Sequence, residues 1–580
     1  MTEFFEVTEH DGAARCGQLR LESPLSTPAL VDDVIADAGS LWSEERTVPE
    51  GDPDRLTVLP HRAFPSGTPA EVQDAFDPAT PALDAPTAAV ITPETAADKG
   101  TDAYVLSTAN GIVGHARAFV EAITTVRRAI PADTALYLPG VATPGNVPIL
   151  AYAGVDLFDT DAAVVAGTQG RYLTREGATP IDALDALPCP CPACQRPLSE
   201  FDREACVEHN RAVLAATVAD VRSRIRQGRL RDYIEGQVRH EQWHTAVMRR
   251  LDQEYDYLEA RTPLIRRAEL TAASAETLDR VAVRRFATRV QERYRARLDS
   301  YPLVLLPCSA HKPYSDSRSH GHFRDAIDYR GHIVSLTSPL GVVPDELELT
   351  YPAQHYDAVV TGEWSETELA VVADMLETYL ANADYPRIIA HVPPEYRPLV
   401  ERATDREVTY TVVDHPTDED SLAALEAALD GELQYPRSVR RRAIVRAIAD
   451  YMIGPGAGDA IFEDIAVEGR YPSLRVTDGS GEQLAAIVEA YGTLAFTLAG
   501  ARRWVDSDVP TARVEIDAFV PHGSVLAPGV IDADEPIRPG DEVVIEGPRA
   551  FGVGRAAMAG PEMAESTRGV AVEVRHVEER

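Results

Sequence analysis

The sequence has no long apolar run and no segment typical of a secretory leader. No stretch of about 18 apolar residues occurs in its 580 positions, which excludes an ordinary membrane-spanning helix. The opening residues, MTEFFEVTEHDGAARCG, have no basic region followed by an apolar core. We therefore expect a cytoplasmic protein that does not contact membranes.

Lysine is nearly absent, and acidic residues are in large excess. Lys99 and Lys312 are the only lysines among 56 lysines and arginines, whereas aspartates and glutamates number 92, giving a net charge of −36. Dispersed carboxylates keep a surface hydrated in molar salt, where the Debye length is roughly 3 Å and self-repulsion is weak. The composition predicts a halophilic protein, with an ordinary acidic protein as the alternative. In a halophile this charge does not exclude nucleic acid as a partner.

Cysteine is also scarce, but half of the cysteines lie close together. The six are Cys16, Cys189, Cys191, Cys194, Cys206 and Cys308. The spacing of Cys189, Cys191 and Cys194 suits a metal better than disulfides, and zinc prefers four tetrahedral sulfur or nitrogen ligands. Either Cys206 or His209 supplies the fourth ligand. The sequence thus predicts a structural Zn²⁺ site, with incidental buried thiols as the alternative.

The length predicts several domains, because 580 residues exceed what one hydrophobic core holds. Alternating strand and helix patterns indicate an α/β domain in 1–270 and a second in 295–430. Residues 431–504 read as a small α+β linker domain, and 505–580 show a compact all-β pattern. We expect buried strands at Ala103–Ser107, Ala135–Leu138, Ala151–Phe158 and Leu303–Pro307, and helical segments at Gly114–Ala129, Arg211–Arg250 and Ala268–Arg297.

The cysteine cluster resembles the zinc site of tRNA-guanine transglycosylases. In that family CxCxxC is followed by a His-Asn pair on an arginine-rich helix, and here His209-Asn210 begin such a segment. The interval between Cys194 and His209 is shorter than the family's. The resemblance favours His209 over Cys206 as the fourth ligand. It also implies that 1–270 form a TIM-barrel-like (β/α) domain with a zinc subdomain.

A strand pattern extends this resemblance, and a loop departs from it. Gly154-Val155-Asp156-Leu157-Phe158-Asp159 resembles the strand whose last aspartate is the family's nucleophile, which implies that role for Asp159. The loop Leu106–Gly111 lacks the acid with which the family grips the incoming base. The barrel is therefore expected to be degenerate, and base exchange is not expected.

A second constellation follows the strand Leu303–Pro307 directly. Cys308 lies in a polar loop at the strand end, near Lys312 and His320, and such neighbours favour the thiolate form of a cysteine. A halophile replaces lysines that only solvate a surface, so Lys312 is expected to do what arginine cannot. The alternative is a capped turn whose cysteine packs as a small apolar group.

This segment resembles the signature PCx3KPYx2Sx2H of archaeosine synthases, paralogues of the archaeal transglycosylases. The matching positions are Pro307, Cys308, Lys312, Pro313, Tyr314, Ser317 and His320. Further likeness lies in Ser338–Pro344, Tyr351–Ala353 and Thr361–Trp364. The resemblance implies that 295–430 form a central α/β catalytic domain.

The all-β tail resembles a PUA domain, a small β-barrel that binds structured RNA in modification enzymes. The segments Gly523–Val530, Ile537–Val544 and Gly552–Ala556 carry the likeness. Glycines there permit tight turns and close approach of the backbone to phosphate. A generic β-barrel interaction module is the alternative.

Together these resemblances imply an enzyme acting on tRNA that carries 7-cyano-7-deazaguanine (preQ0) in its D-arm. The implied reaction adds an amine to the nitrile. Free lysine is the expected donor, glutamine or ammonia are alternatives, and a radical-SAM partner protein completes archaeosine. Homodimerisation is left open.

The expected nucleophile is Cys308, since a thiolate and a nitrile give a thioimidate that an amine can displace. Lys312 is expected to favour the thiolate or protonate the imide nitrogen, and His320 to act as acid and base, with Tyr314 and Ser317 in the same site. One alternative is a base-exchanging transglycosylase that uses Asp159. Another is a non-catalytic tRNA-binding scaffold.

Overall fold

The structure, a computed structural model, describes residues 3–37, 39, 50–62, 67–76, 83–359 and 364–580. The chain divides into two compact units. Unit 1 comprises Met1–Pro263, Leu526–Val530 and Met558–Ala571, and unit 2 comprises Leu264–Val525, Ile531–Ala557 and Val572–Arg580. Thr361, Gly362 and Glu363, which belong to one of the expected signature segments, lie outside the described residues.

Unit 1 is built around a parallel sheet whose strands are mostly buried. Its strands are β1 (Phe5–Asp11), β2 (Ala14–Leu19), β3 (Leu25–Thr27), β4 (Ala29–Leu30), β5 (Ile35–Asp37), β6 (Leu56–Val58), β7 (Thr87–Ile91), β8 (Ala103–Leu106), β9 (Ala135–Tyr137), β10 (Leu157–Phe158), β11 (Arg171–Leu173) and β12 (Ala178–Pro180). Seven of these form one parallel sheet in the order β4-β10-β9-β8-β7-β6-β5. Most strands lie beside their neighbours in sequence, as in a (β/α) barrel, but the strands that the structure describes do not close into a ring. The expected degenerate barrel is confirmed.

The helices of unit 1 correct two expectations. Those described within residues 1–263 are α1 (Ala70–Ala75), α2 (Ala109–Ile112), α3 (Ala116–Ala129), α4 (Val147–Ala153), α5 (Asp161–Thr168), α6 (Arg203–Arg226), α7 (Leu230–Gln237), α8 (Gln242–Gln253) and α9 (Tyr255–Glu259). The expected helical segment Arg211–Arg250 is three helices, because the chain turns at Gly228, whose φ is +66°, and again at the 3-10 turn Val238–His240. The segment Ala151–Phe158, expected as one strand, begins with the last residues of α4. Gly154 ends that helix in the left-handed conformation, and only Leu157–Phe158 form a strand.

The first part of unit 2 is a second α/β layer. Its elements are β13 (Leu270–Ala272), α10 (Val281–Glu292), β14 (Leu303–Pro307), α11 (Arg318–Ile327), β15 (His332–Thr337), β16 (Gly341–Pro344), β17 (Tyr356–Ala358), α12 (Glu366–Ala381), β18 (Ile388–Ala390), α13 (Arg397–Ala403), β19 (Val408–Tyr410) and α14 (Glu419–Ala428). The sheet order is β16-β15-β14-β18-β19, parallel except for β16. The expected strand at 303–307 is confirmed.

The expected helical linker Ala268–Arg297 is only partly helical. It contains β13, a short 3-10 turn and α10. β13 pairs in parallel with β17, which lies more than eighty positions later in the chain. This pairing is a tertiary contact that local periodicity cannot reveal.

The rest of the chain contains a helical and antiparallel segment and then a β-rich tail. The first elements are α15 (Arg437–Met452), α16 (Ala457–Ile461), β20 (Ala466–Arg470), β21 (Ser473–Thr477), β22 (Gln483–Val488), β23 (Thr493–Phe496) and α17 (Leu498–Val505). The tail contains β24 (Arg513–Ile516), β25 (Ser524–Leu526), β26 (Val530–Ala533), β27 (Glu542–Gly547), β28 (Ala550–Ala556), α18 (Gly560–Glu565) and β29 (Val570–Glu579). Its six strands form one sheet, so the expected β architecture is confirmed apart from the short α18. None of the helices in the described ranges is both long and apolar enough to cross a bilayer.

Candidate active site and metal cluster

Three of the cysteines and one histidine converge in unit 1. The possible ligand atoms of Cys189, Cys191, Cys194 and His209 all lie within 4.8 Å of one another. Nδ1 of His209 is 3.3 Å from Sγ of Cys194 and 3.5 Å from Sγ of Cys191. A 3-10 turn ending at Cys194 and the first half of α6 hold these groups in place. Three thiols and one imidazole are a donor set that fits a tetrahedral zinc ion.

The His209 ring is held in an orientation that leaves Nδ1 facing the thiols. Its Nε2–H donates to the carbonyl oxygen of Leu173 at 2.9 Å, and the ring stacks on Tyr172 at 3.7 Å. Burial lowers the pKa of His209, which favours the neutral imidazole that metals bind. Cys206 is fully buried in the adjoining apolar cluster and lies outside the set of converging ligand atoms.

Asp159 lies at the carboxyl end of the barrel-like sheet, directly after β10. Its carboxylate accepts hydrogen bonds from the Tyr137 hydroxyl at 2.7 Å and from the Gly140 nitrogen at 2.6 Å. The other carboxylate oxygen accepts from the Asp161 nitrogen at 3.0 Å. Burial raises the pKa of Asp159, and these three bonds oppose that rise. In the loop expected to have lost the family's acid, Ser107 donates its hydroxyl to the Ile91 carbonyl.

Cys308 lies at the switch point of the central sheet. The chain passes from β14 to β15 on one side and later returns to β18 on the other side of β14, so strand order reverses between β14 and β18. Ligands bind in the crevice at the carboxyl ends of strands at such a point. Cys308 follows β14 immediately and lines a cavity of about 940 Å³ there.

Lys312 and two tyrosines form a layer beside Cys308. The Lys312 ammonium lies 3.8 Å from the ring centre of Tyr356. The Tyr314 and Tyr356 hydroxyls are 2.6 Å apart, and Tyr356 is also 2.6 Å from the Thr337 hydroxyl. Burial lowers the pKa of Lys312, while the nearby Cys308 and two carboxylates act in the opposite direction. Lys312 is therefore easier to deprotonate than an exposed lysine.

His320 lies behind the loop and does not line the cavity. It is fully buried, its Nε2–H donates to the Pro307 carbonyl at 3.0 Å, and its ring stacks on Tyr314 at 4.8 Å. Burial lowers the pKa of His320 to about 4, so the imidazole is neutral near neutral pH. The Ser317 hydroxyl lies between those of Ser309, at 2.7 Å, and Ser319, at 2.9 Å. Ser309 and Ser319 line the cavity, whereas Ser317 supports them.

Two aromatic residues in the cavity wall were not assigned to the site from the sequence: Tyr396 was missed, and Trp364 was noted only as the end of a likeness segment. Tyr396 follows β18, and its hydroxyl lies 3.9 Å from Sγ of Cys308. The Trp364 ring packs against the Tyr396 ring, with centres 4.2 Å apart. The signal available in the sequence was the short apolar run Ile388–Ala390, which marks a strand beside β14 with Tyr396 just beyond its end.

Family models match most of the chain in four blocks. They are the queuine tRNA-ribosyltransferase model at residues 88–242, a domain of unknown function at 283–429, the patch-forming domain C2 of tRNA-guanine transglycosylase at 443–510, and the PUA domain at 513–577. The transglycosylase and PUA resemblances are thus confirmed. Residues 431–504 were expected from the sequence only as a small linker domain. The C2 match at 443–510 assigns most of this segment to a known domain family.

Three curated proteins are similar over most of the chain. An archaeosine synthase of Haloferax volcanii is 58% identical, with 100% of both chains covered. An archaeosine synthase subunit alpha of Methanosarcina acetivorans is 40% identical, also with 100% of both covered. A tRNA-guanine(15) transglycosylase of Methanothermobacter thermautotrophicus is 28% identical over 79% of this chain and 68% of its own.

The transglycosylase and PUA domains, with these relatives, define a tRNA-modifying transferase. Within that class, the full-length identity to the curated synthases is decisive. The chain belongs to the archaeosine synthase family.

Proposed function

We propose that this protein adds an amine to the nitrile carbon of preQ0 in the D-arm of tRNA, with Cys308 as the nucleophile. One observation carries the proposal: Cys308, the first thiol after β14, lines a large cavity at the switch point of the central sheet. The name of the related transglycosylase refers to guanine 15 of tRNA. We propose that the preQ0 base modified here occupies the same position, 15.

The chemistry of a nitrile suits a thiol at this position. The Cys308 thiolate attacks the nitrile carbon to give a thioimidate, and an amine then displaces the thiol to give an amidine. The Lys312 ammonium lies near Cys308 and over the Tyr356 ring, where its positive charge would stabilise negative charge that develops at the reacting atoms. His320 holds the Pro307 carbonyl and so positions Cys308, a role we propose in place of direct acid and base chemistry.

The charge of the cavity favours a cationic donor. Among its described lining residues there are two carboxylates, Glu368 and Glu395, and no lysine or arginine. The hydrogen bonds from Ser338 and Ser365 lower the pKa of Glu368, which keeps it ionised. An ammonium group is attracted by such a wall, which supports lysine over the neutral glutamine as donor. A radical-SAM partner protein would then complete archaeosine.

We further propose that the Cys189, Cys191, Cys194 and His209 cluster holds one zinc ion. Four protein ligands leave no open position for substrate, so the ion would be structural. Its place at the start of α6 would fix that helix to the preceding turn. The PUA domain would bind the tRNA, as in other RNA-modifying proteins.

One assay tests the proposed function. Purified protein is incubated with preQ0-containing tRNA and lysine, glutamine or ammonium, and the digested nucleosides are analysed by mass spectrometry. We expect a lysine adduct of preQ0 in the presence of lysine. No new nucleoside with any donor would contradict the proposal and favour a tRNA-binding scaffold. Release of free preQ0 in exchange for guanine would instead favour a working transglycosylase.

A further inference from the structure

Tyr396 faces Cys308 across the switch point of the central sheet. Cys308 follows β14, Tyr396 lies in the 3-10 turn Pro394–Tyr396 after β18, and these two strands are paired in parallel. Because parallel strands end at the same edge of a sheet, the two side chains converge there. The Tyr396 hydroxyl oxygen lies 3.9 Å from Cys308 Sγ, close enough to reach an atom bonded to the sulfur.

The Tyr396 ring is held in place from its other side. It packs on Trp364 with ring centres 4.2 Å apart and planes inclined by 39°. Both rings line the cavity into which Cys308 opens. A phenol fixed in this way can donate a hydrogen bond to an atom bonded to the sulfur without losing further conformational freedom.

Burial and the neighbouring Cys308 both raise the pKa of Tyr396. The phenol therefore holds its proton more firmly than an exposed tyrosine does, and it faces Cys308 as a hydrogen-bond donor. Lys312 and His320 are directed elsewhere: the Lys312 ammonium lies over Tyr356, and the His320 ring donates to Pro307 behind the loop.

We propose that Tyr396 is a catalytic residue that donates its phenolic proton to the nitrile nitrogen while Cys308 attacks the nitrile carbon. This inference rests on the proposed function. In the nitrile the nitrogen lies one triple bond from the attacked carbon, so a donor beside the sulfur is well placed to reach it. A positioned proton donor is worth about 10²-fold or more in rate.

The proton balance closes over the two steps. In the first, the sulfur–carbon bond forms, one π bond of the nitrile breaks, and the nitrogen takes the Tyr396 proton, which leaves a neutral thioimidate and a phenolate. In the second, the amine adds to the same carbon, and the phenolate removes the proton from the positively charged nitrogen. The carbon–sulfur bond then breaks, the thiolate leaves with the electron pair, and an amidine is formed. Tyr396 and Cys308 are both restored.

The test compares two tyrosine-to-phenylalanine variants of the full-length protein. Tyr396→Phe keeps the ring that packs on Trp364 and removes only the hydroxyl. Tyr410→Phe is the matched control: it lies at the end of β19 in the same sheet, and its buried hydroxyl has no hydrogen-bond partner among the described residues. We expect Tyr396→Phe to lower kcat by about 100-fold with little change in the KM for preQ0-tRNA. Tyr410→Phe should match the wild type.

A second readout separates chemistry from packing. With preQ0-tRNA and no amine donor, the rate of covalent protein–tRNA adduct formation should fall in Tyr396→Phe as much as kcat does. If that variant does not fold, a ring-fluorinated tyrosine at position 396, whose phenol is more acidic, should alter the pH dependence of adduct formation. Near-native kcat in folded Tyr396→Phe, or a fluorinated protein with an unchanged pH profile, would overturn the role of Tyr396.

Cys308→Ser measured in parallel distinguishes the two proposals. If Cys308→Ser is inactive while Tyr396→Phe is normal, the nucleophile stands and the proton donor is refuted. If Cys308→Ser is active, the proposed function of the cavity fails, and the inference about Tyr396 fails with it.

Discussion

The Glu348 carboxylate accepts a hydrogen bond from the backbone nitrogen of Ser315 at 2.8 Å, within the signature loop. The same side chain is fully buried, pairs with Arg324 at 3.1 Å and accepts from the Tyr471 hydroxyl at 2.8 Å. The loop that carries Cys308 and Lys312 is thus fastened to a buried ionic network outside the cavity.

This connection predicts a positioning role for Glu348. Glu348→Ala should destabilise the protein by about 3 kcal/mol, the lower end of what removing one partner of a buried ion pair costs, because Asp345 still pairs with Arg324. It should also lower turnover, because Ser315 loses its anchor. Tyr471→Phe, which removes one hydrogen bond and leaves Ser315 held, should cost only about 1 kcal/mol. Denaturant unfolding in molar salt and a turnover assay measure both effects. Wild-type stability and turnover in Glu348→Ala would refute this role.

The metal cluster makes a prediction that also identifies the fourth ligand. Elemental analysis should find one zinc per chain, and Cys191→Ala should lose both the metal and much of the thermal stability, because binding energy is folding energy at such a site. Cys206→Ala is the control, since Cys206 is buried close by but outside the converging ligands. It should keep its zinc. A folded wild-type protein without zinc would refute the site. Loss of zinc in Cys206→Ala would show that Cys206, and not His209, is the fourth ligand.

For Asp159 we predict that base exchange is absent. Labelled guanine or preQ0 should not enter unmodified tRNA, because the carboxylate is engaged by Tyr137, Gly140 and Asp161 rather than free. Asp159→Asn should reduce amine addition far less than changes at Cys308 do. Robust incorporation of label that Asp159→Asn abolishes would show that the barrel still catalyses exchange.

The cluster of three cysteines and one histidine could be predicted from the sequence more completely than the cavity at Cys308. The cluster of Cys189, Cys191, Cys194 and His209 could be predicted because three of its members lie within six residues and the fourth follows on a helix, so local spacing determines its geometry. At Cys308 the motif supplies only one wall of the cavity. Tyr396 and Trp364 come from other elements, and their approach depends on the order in which β14 and β18 pair.

The fold shows the same limit. Buried strands such as β8 and β14 follow from continuous apolar runs. The end of α4 resembled a strand, because its small and apolar residues are buried on all sides and leave no helical period in the sequence. β13 lies in a segment with a helical pattern and could not be predicted, because it forms a strand only by pairing with β17, which is far away in the sequence.

Lys312 gives a prediction about pH. Its pKa is lowered by burial, so its positive charge is lost at a lower pH than that of an exposed lysine. If the ammonium is required, wild-type turnover should fall as the pH rises through that lowered pKa. Lys312→Arg stays charged and should lack this alkaline fall, but it should be about 100-fold slower, because a planar guanidinium cannot take the place of the compact ammonium over Tyr356, and a misplacement of about 1 Å can cost that much. A rate–pH profile of both proteins tests this. Equal rates would make Lys312 a structural cation.

The most direct measurement combines preQ0-tRNA with the protein in the absence and presence of lysine. Without lysine, the wild type should form a covalent protein–tRNA adduct visible on a denaturing gel, and adding lysine should release tRNA whose digest contains the amidine. Cys308→Ser should form neither adduct nor product, because a hydroxyl is scarcely ionised near neutral pH. Full amidine formation by folded Cys308→Ser, with no adduct in the wild type, would contradict Cys308 as the nucleophile and move the chemistry out of this cavity.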